Sequence, residues 1–237
     1  TSGIVTRDAW QSRDFASSWD HVNNVRTNPE RESQLALLTE LVVQSTPRHL
    51  LDLGIGSALV ESAMHRRYPE FFSSCRVTGL DASDAMLGLA RQRCDTESIG
   101  NLQLAQVDFA DIATFELLSP PDTVICVQAL HEVDHDIKRQ VFEYVRGLLA
   151  PGRPFYILDR FTYPADHWLD DWQATWRWMR SKVDEEVMDF DVYHEQYRRK
   201  TDHVASVEDY SRWLEASGFR TSCPYRGFNR ALIIARA

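Results

Sequence analysis

Three acidic residues stand where an apolar run gives way to a turn: Asp52 in LDLG, Asp81 in TGLD and Asp108 in QVDF. A carboxylate at the end of a strand can accept hydrogen bonds from a pair of ribose hydroxyls or from a base amine. It can equally cap the turn that follows. Between the first two acids lies Gly54-Ile55-Gly56, where absent β-carbons permit a tight turn and a close ligand approach. A dinucleotide fingerprint would place a third glycine at position 59, and Leu59 stands there. That spacing counts against a pyrophosphate seated on an open helix N-terminus. Phe109, beside Asp108, offers a flat apolar surface for an adenine.

A second group of residues could move protons. His131, in ALHEV, follows an apolar run, with Glu132, Asp134, His135 and Asp136 close behind. A histidine there is either a general base or a loop residue bonded to backbone, and an ordinary pKa near 6.5 serves both readings. Asp159 closes a later apolar run, and Tyr163, His167, Tyr193 and Tyr197 follow within a long aromatic-rich stretch. The two histidines of HEVDH lack a third ligand and a suitably placed glutamate, so no metal is expected.

The elements that must position these groups alternate between strand and helix. Strands are expected at 48–53, 75–81, 102–108, 122–128 and 154–159, with helices at about 57–68, from Ser83, and from Asp134 to Ala150. Such alternation implies a parallel sheet covered by helices. Ser206 and Asp209 form a capping-box-like start to a last helix that ends at Gly218, and strands near 219–226 and 230–236 follow. Two segments stand outside the pattern. Residues 1–30 carry Trp10, Phe15 and Trp19 ahead of a helix at 33–45. Residues 160–205 place Trp168, Trp172 and Trp176 at every fourth position, then Phe190, Tyr193 and Tyr197 at helical spacing. These read as two amphipathic helices over the carboxyl edge of the sheet, where open α/β sheets hold their ligands.

Composition narrows the partners. With 237 residues, 43% hydrophobic content and 26% charge, the chain can bury a substantial core. A net charge of -9 argues against a nucleic acid, which is held chiefly by clustered cations. Cys75, Cys94, Cys126 and Cys223 show no ligand spacing and read as reduced thiols. No apolar run reaches membrane-spanning length and the first residues lack a signal pattern, so a cytoplasmic protein with no membrane partner is expected.

LDLGIGSAL (51–59) resembles the first motif of the class I S-adenosylmethionine (SAM) dependent methyltransferases, and GLDASDAMLGLARQR (79–93) their second. QVDFADI (106–112) is similar to the third and VICVQALHEV (124–133) to the fourth. One departure is Ala58, where that family often has a further glycine. The resemblance implies a Rossmann-like α/β fold: a seven-stranded mixed sheet, order 3-2-1-4-5-7-6, helices on both faces and an aromatic-rich helical lid. It implies a cap at 1–47, a SAM-binding core at 48–159, a lid insertion at 160–205, and a last helix and hairpin at 206–237.

Residue by residue, the resemblance seats the methionine portion of SAM over Gly54 and Gly56, with Asp52 orienting the turn or the amino group. Asp81 would hold the ribose, and Ala82 and Met86 would face the adenine. Asp108 would bond the adenine amine, Phe109 would stack nearby, and Gln128 and Ala129 would border the sulfonium. The catalytic candidates are His131, Asp159, Tyr163, Tyr193 and Tyr197. The activity implied is methylation of a small molecule. Two alternatives stay open: an enzyme that closes the methionine chain of SAM into azetidine-2-carboxylate, and a SAM-binding protein without turnover. The acceptor and the oligomeric state are not legible.

Overall fold

The computed structural model describes residues 9, 11–22, 26–163, 167–199 and 202–237. Trp10 lies outside them, and the side chain of Trp19 is likewise not described. Two helices, α1 (Arg13–Val22) and α2 (Arg31–Ser45), lead into the alternating core. There β1 (His49–Leu53) is followed by α3 (Leu59–Arg67) and α4 (Pro69–Ser74). Next come β2 (Arg76–Asp81), α5 (Asp84–Glu97), β3 (Leu102–Gln106), β4 (Thr123–Val127), α6 (His135–Leu148) and β5 (Pro154–Arg160). The chain then forms α7 (Leu169–Arg180) and α8 (Phe190–Arg199), and ends with α9 (Val207–Ala216), β6 (Arg220–Gly227) and β7 (Arg230–Arg236).

The seven strands lie in the order β3-β2-β1-β4-β5-β7-β6, as the resemblance implied. The first five are parallel, and β7 runs antiparallel between β5 and β6. Every residue of β1, β4 and β5 is buried, as strands covered on both faces must be. Alternation along the strands sorts them into two cores. Leu51, Leu53, Val124, Cys126, Phe155 and Ile157 pack with Val141, Phe142 and Val145 of α6 and with Tyr210 and Leu214 of α9. Leu50, Ile125, Val127, Tyr156 and Leu158 pack with Leu38 and Val42 of α2, Met64 of α3 and Leu87 and Ala90 of α5. Burying a Leu or Phe side chain contributes roughly 1.5–3 kcal/mol, so these two layers dominate the favourable side of folding.

Local chemistry sets the ends of the elements. Ser83 accepts from the Met86 amide to start α5, and Ser206 and Asp209 complete a reciprocal capping box at α9. Pro69 does not simply end a helix; it takes the first turn of α4, where its missing amide costs nothing. Ala58, at the family's glycine position, adopts φ +61°, the left-handed conformation that a glycine would hold without strain.

The third core belongs to the insertion. Trp176, Met179, Val187, Phe190 and Tyr193 are buried together, with Trp172, Tyr197 and Phe228 packed against them. Trp176 stacks on Tyr193 at 4.4 Å between centroids and donates its indole N–H to the Met188 carbonyl at 2.8 Å. Trp168, expected on the same face, is 56% exposed at the start of α7. The four cysteines are free thiols, and no helix among the described residues is long and apolar enough to cross a membrane.

Candidate functional site

A cavity of about 530 Å³ opens at the carboxyl ends of the strands. Its walls come from the glycine turn after β1, the end of β2, the segment after β3, the end of β4, α8, and the facing ends of β5 and β7. The middle of an open sheet, where the strand order reverses, leaves such a crevice by construction.

The glycine turn is built as a cradle. Gly54 has φ +78°, and a β-carbon there would fall 2.4 Å from Cβ of Ala129. Gly56 has φ +57°, and a β-carbon would press on Met86 at 3.2 Å. Asp81 ties this turn to the next one: its Oδ2 accepts from the Gly56 amide at 2.9 Å and its Oδ1 from the Ser83 amide at 2.8 Å. Burial pushes its carboxyl above the ordinary carboxylate range, against the pull of these two amides. Ala82, Met86, Asp108, Phe109, Gln128 and Ala129 line the same cavity. Asp108 also caps the short helical turn that follows, accepting from the Ala110 amide at 2.9 Å, so the ligand and capping readings coexist. Gln128 holds φ +55°, and its buried Nε2 has no hydrogen-bond partner.

Asp52 is 1% exposed, is not part of the cavity wall, and lies beside Glu61 of α3. Among the described residues no cation pairs with either carboxyl, and burial raises both pKa values. Two neighbouring buried carboxyls without a cation retain a proton. Asp52 thus stands behind the cavity wall, which favours the first of its two expected roles, orienting the glycine turn, over contact with a ligand amino group.

On the other half of the cavity, His131 is fixed by Asp159. Its Nδ1 lies 2.5 Å from Asp159 Oδ1, and its backbone amide donates to Oδ2 at 3.0 Å. Asp159 is fully buried and takes further bonds from the Arg160 amide at 2.8 Å and the Tyr210 hydroxyl at 3.4 Å. It is absent from the cavity wall, so it acts on the cavity only through the imidazole. The imidazole thus lies between two carboxylates, Asp159 at Nδ1 and Glu132 3.3 Å from Nε2. Lys138, fully buried in α6, holds the loop behind them by donating to the carbonyls of Val133 and His203. Burial lowers its pKa to about 8.

Of the three tyrosines, Tyr193 and Tyr197 reach the cavity and Tyr163 does not. Tyr163 packs on Trp172, Tyr197 and Phe228, with its hydroxyl 2.8 Å from Nδ1 of His194. It is a wall of the aromatic core, and its assignment to catalysis is corrected. His167 is exposed at the start of the insertion.

Several cavity residues were not anticipated: Gln11, Thr27, Asn28 and Arg31 from the N-terminal segment, and Arg160 and Arg230 from β5 and β7. Asp202 is a further surprise. It pairs with Arg160, and its carboxylate lies within 4.8 Å of ligand atoms of His131 and Glu132. A cation there would compete with the guanidinium for Asp202, so this cluster reads as an ion-pair network.

Residues 50–152 match the family model of a methyltransferase domain. Over 224 residues the chain is 25% identical to a trans-aconitate 2-methyltransferase of Acidovorax ebreus, covering 85% of this chain and 80% of that one. Its fold is that of an O-methyltransferase family protein of Burkholderia thailandensis, with a TM-score of 0.64 and 17% identity over 97% of this chain. The chain spans 66% of that protein's length. It also superposes on the magnesium protoporphyrin IX methyltransferase of Synechocystis, solved with S-adenosylhomocysteine, with a TM-score of 0.64, 16% identity and 98% coverage of both chains.

Proposed function

From a chain that carries a class I SAM-dependent methyltransferase domain, we propose an enzyme that transfers the methyl group of SAM to a small molecule and releases S-adenosylhomocysteine. The observation that carries the reading is the cradle: Gly54 and Gly56 with left-handed backbones, closed over by Ala129 and Met86, and braced by Asp81. A β-carbon at either glycine would press on Ala129 or Met86, so the turn can approach those cavity-lining side chains only as glycine. The orphaned amide of Gln128 marks a second polar contact left for a ligand.

In this assignment Asp81 accepts from the ribose hydroxyls, Asp108 accepts from the adenine amine, and Phe109 and Met86 enclose the ring. Gly54, Gly56, Gln128 and Ala129 face the methionine portion and the sulfonium. When bound, SAM supplies an activated methyl carbon whose bond to sulfur breaks as the acceptor's lone pair attacks, the bonding electrons returning to sulfur. The protein's task is alignment, which can supply several kcal/mol of the barrier. His131 Nε2 takes the proton of a protic acceptor, and Asp159 is its positioning residue, holding the tautomer and stabilising the imidazolium. Tyr193 and Tyr197 of α8 close the cavity from above.

The net charge of -9 and the VQALHE turn after β4, in place of an Asn/Asp-Pro-Pro-aromatic turn, favour a small molecule over a nucleic acid. The test is purified protein with SAM, with and without an acceptor panel that includes trans-aconitate, read by mass spectrometry. S-adenosylhomocysteine should accumulate only with an acceptor. Methylthioadenosine and a cyclic amino acid from SAM alone would replace methyl transfer with ring closure.

A further inference from the structure

Arg160 and Arg230 are an unusual pair to bury. They are 3% and 7% exposed, and they sit directly opposite one another in the antiparallel register of β5 and β7. Like charges directly across a ladder repel, and burial removes the water that would screen them. Arg160 pairs with Asp202, and the carboxylates of Glu132 and Asp159 also act on it. Arg230 has no ion-pair partner among the described residues: its bonds go to Tyr193 Oη at 3.3 Å and to Asn229 Oδ1 at 2.7 Å, both neutral acceptors. The Nε–H groups of both arginines are buried without a hydrogen-bond partner. Both side chains border the cavity.

Tyr193 completes the arrangement. Its hydroxyl accepts from Asn229 Nδ2 at 2.7 Å and from Arg230, which leaves its own proton to be donated. Burial opposes ionisation of this phenol, yet the two guanidiniums outweigh it and bring the hydroxyl below its ordinary range. A hydroxyl donor and two forked cations, Arg230 without an ion-pair partner among the described residues and both with an unpartnered Nε–H, therefore meet at one end of one cavity. That is the chemistry of an anion site, with planar geometry suited to a carboxylate.

Resting on the methyltransferase reading, we propose that the acceptor is an organic acid whose carboxylate docks on Arg230, Arg160 and Tyr193, presenting the rest of the molecule to His131. Topology separates this anchor from the cofactor cradle. The glycine turn, Asp81 and Asp108 follow β1, β2 and β3, whereas Arg160 and Arg230 lie beyond β4 on the opposite half of the sheet. Asp202 joins the anchor to the reacting end, because it pairs with Arg160 and lies within 4.8 Å of His131 and Glu132 ligand atoms.

The experiment uses the full chain saturated with S-adenosylhomocysteine. Succinate, citrate and benzoate are titrated beside their amides, read by thermal shift and calorimetry. At least one carboxylate should raise Tm while its amide does not, and Arg230→Gln should weaken that carboxylate's binding tenfold or more. Affinity for S-adenosylhomocysteine should stay within about twofold in the same variant. Arg230→Lys, which keeps the charge and loses the fork, should retain part of the affinity, and it carries the test should the glutamine variant not fold. Equal binding of acids and amides overturns the proposal. A tenfold loss of S-adenosylhomocysteine affinity in the Arg230 variants also overturns it, assigning the cation to the cofactor's own carboxylate. Failure of the unmutated chain to bind S-adenosylhomocysteine would instead sink the methyltransferase reading.

Discussion

Replacing Asp81 with Asn tests the cofactor site without any knowledge of the acceptor. The carboxylate accepts from the Gly56 amide at 2.9 Å and the Ser83 amide at 2.8 Å. An asparagine keeps one acceptor oxygen and turns its NH₂ toward the other amide, so one of those bonds is lost. On the ligand side, two charge-assisted bonds to ribose hydroxyls become one neutral bond. Hydrogen bonds to charged groups contribute about 1.5–3 kcal/mol against about 0.5–1.5 kcal/mol for neutral ones. The expected loss in S-adenosylhomocysteine binding is therefore about 1.5–5.5 kcal/mol, or roughly 10- to 10⁴-fold in Kd. Calorimetry at pH 7 measures it, with circular dichroism and Tm as fold controls. The pH dependence is a second readout. On the proposed assignment the ionised carboxylate holds the ribose, and burial raises the pKa of Asp81 above the usual carboxylate value. Affinity should fall as pH drops through that raised value, and Asp81→Asn should lose this dependence. A variant Kd within twofold of the parent, with the same acid slope, would refute the ribose assignment.

Asp159→Asn should lower kcat by about 10²–10⁴-fold, the usual contribution of an acid–base group, with S-adenosylhomocysteine affinity unchanged; an unaltered pH–rate profile would remove His131 from the chemistry. Asp52 and Glu61 both have folded pKa values raised by burial, so the folded state binds protons more tightly than the unfolded chain. Their contribution to stability is full below the ordinary carboxylate pKa and declines as pH rises through the raised values. Chemical denaturation of Glu61→Gln across pH 4–8 should show a flatter profile; an unchanged slope rejects the shared-proton reading. Trp176→Ala removes a buried ring stacked on Tyr193 and should cost about 3–5 kcal/mol in the insertion. Hydrogen exchange in α7 and α8 would report it, and protection equal to the parent's would contradict the packing.

What the sequence revealed follows from the range of the physics involved. Asp81, Gly54 and Gly56 were legible because strand, turn and helix start lie within a few residues and each has a local signature. The strands of the parallel core were legible for the same reason, through their apolar runs. Which of the two roles expected of Asp52 applies was not legible, because its neighbour Glu61 comes from the following helix and spacing alone does not show that two carboxyls converge. Tyr163, Tyr193 and Tyr197 share an aromatic stretch, and composition does not tell which rings face the cavity and which face Trp172 and Phe228. Arg160 and Arg230 were invisible as a pair. Each stands at the end of an apolar run, and only the register of β7 against β5 brings them opposite one another. Reading both ends of the final hairpin against β5 would have been the one available clue.

The insertion of β7 between β5 and β6 has a consequence for how the chain is made. Strands β1 to β4, with the glycine turn and Asp81, are complete by Val127, and α2, α3, α5 and α6 lie close to them in sequence. The far half waits. Leu158 meets Leu232 and Arg160 meets Arg230 only after some seventy further residues have emerged, because the middle place beside β5 is filled by the last strand. Early and late segments then clasp: Tyr225 of β6 donates to Glu30, and Gln34 donates to Tyr225 at 3.0 Å. On a ribosome, where N-terminal parts fold first, the open edge of β5 is a pairing surface that the nascent chain must protect until its own final strand arrives. Assembly thus runs from the glycine-turn side to the arginine side, and the arginine end of the cavity is the last feature to form.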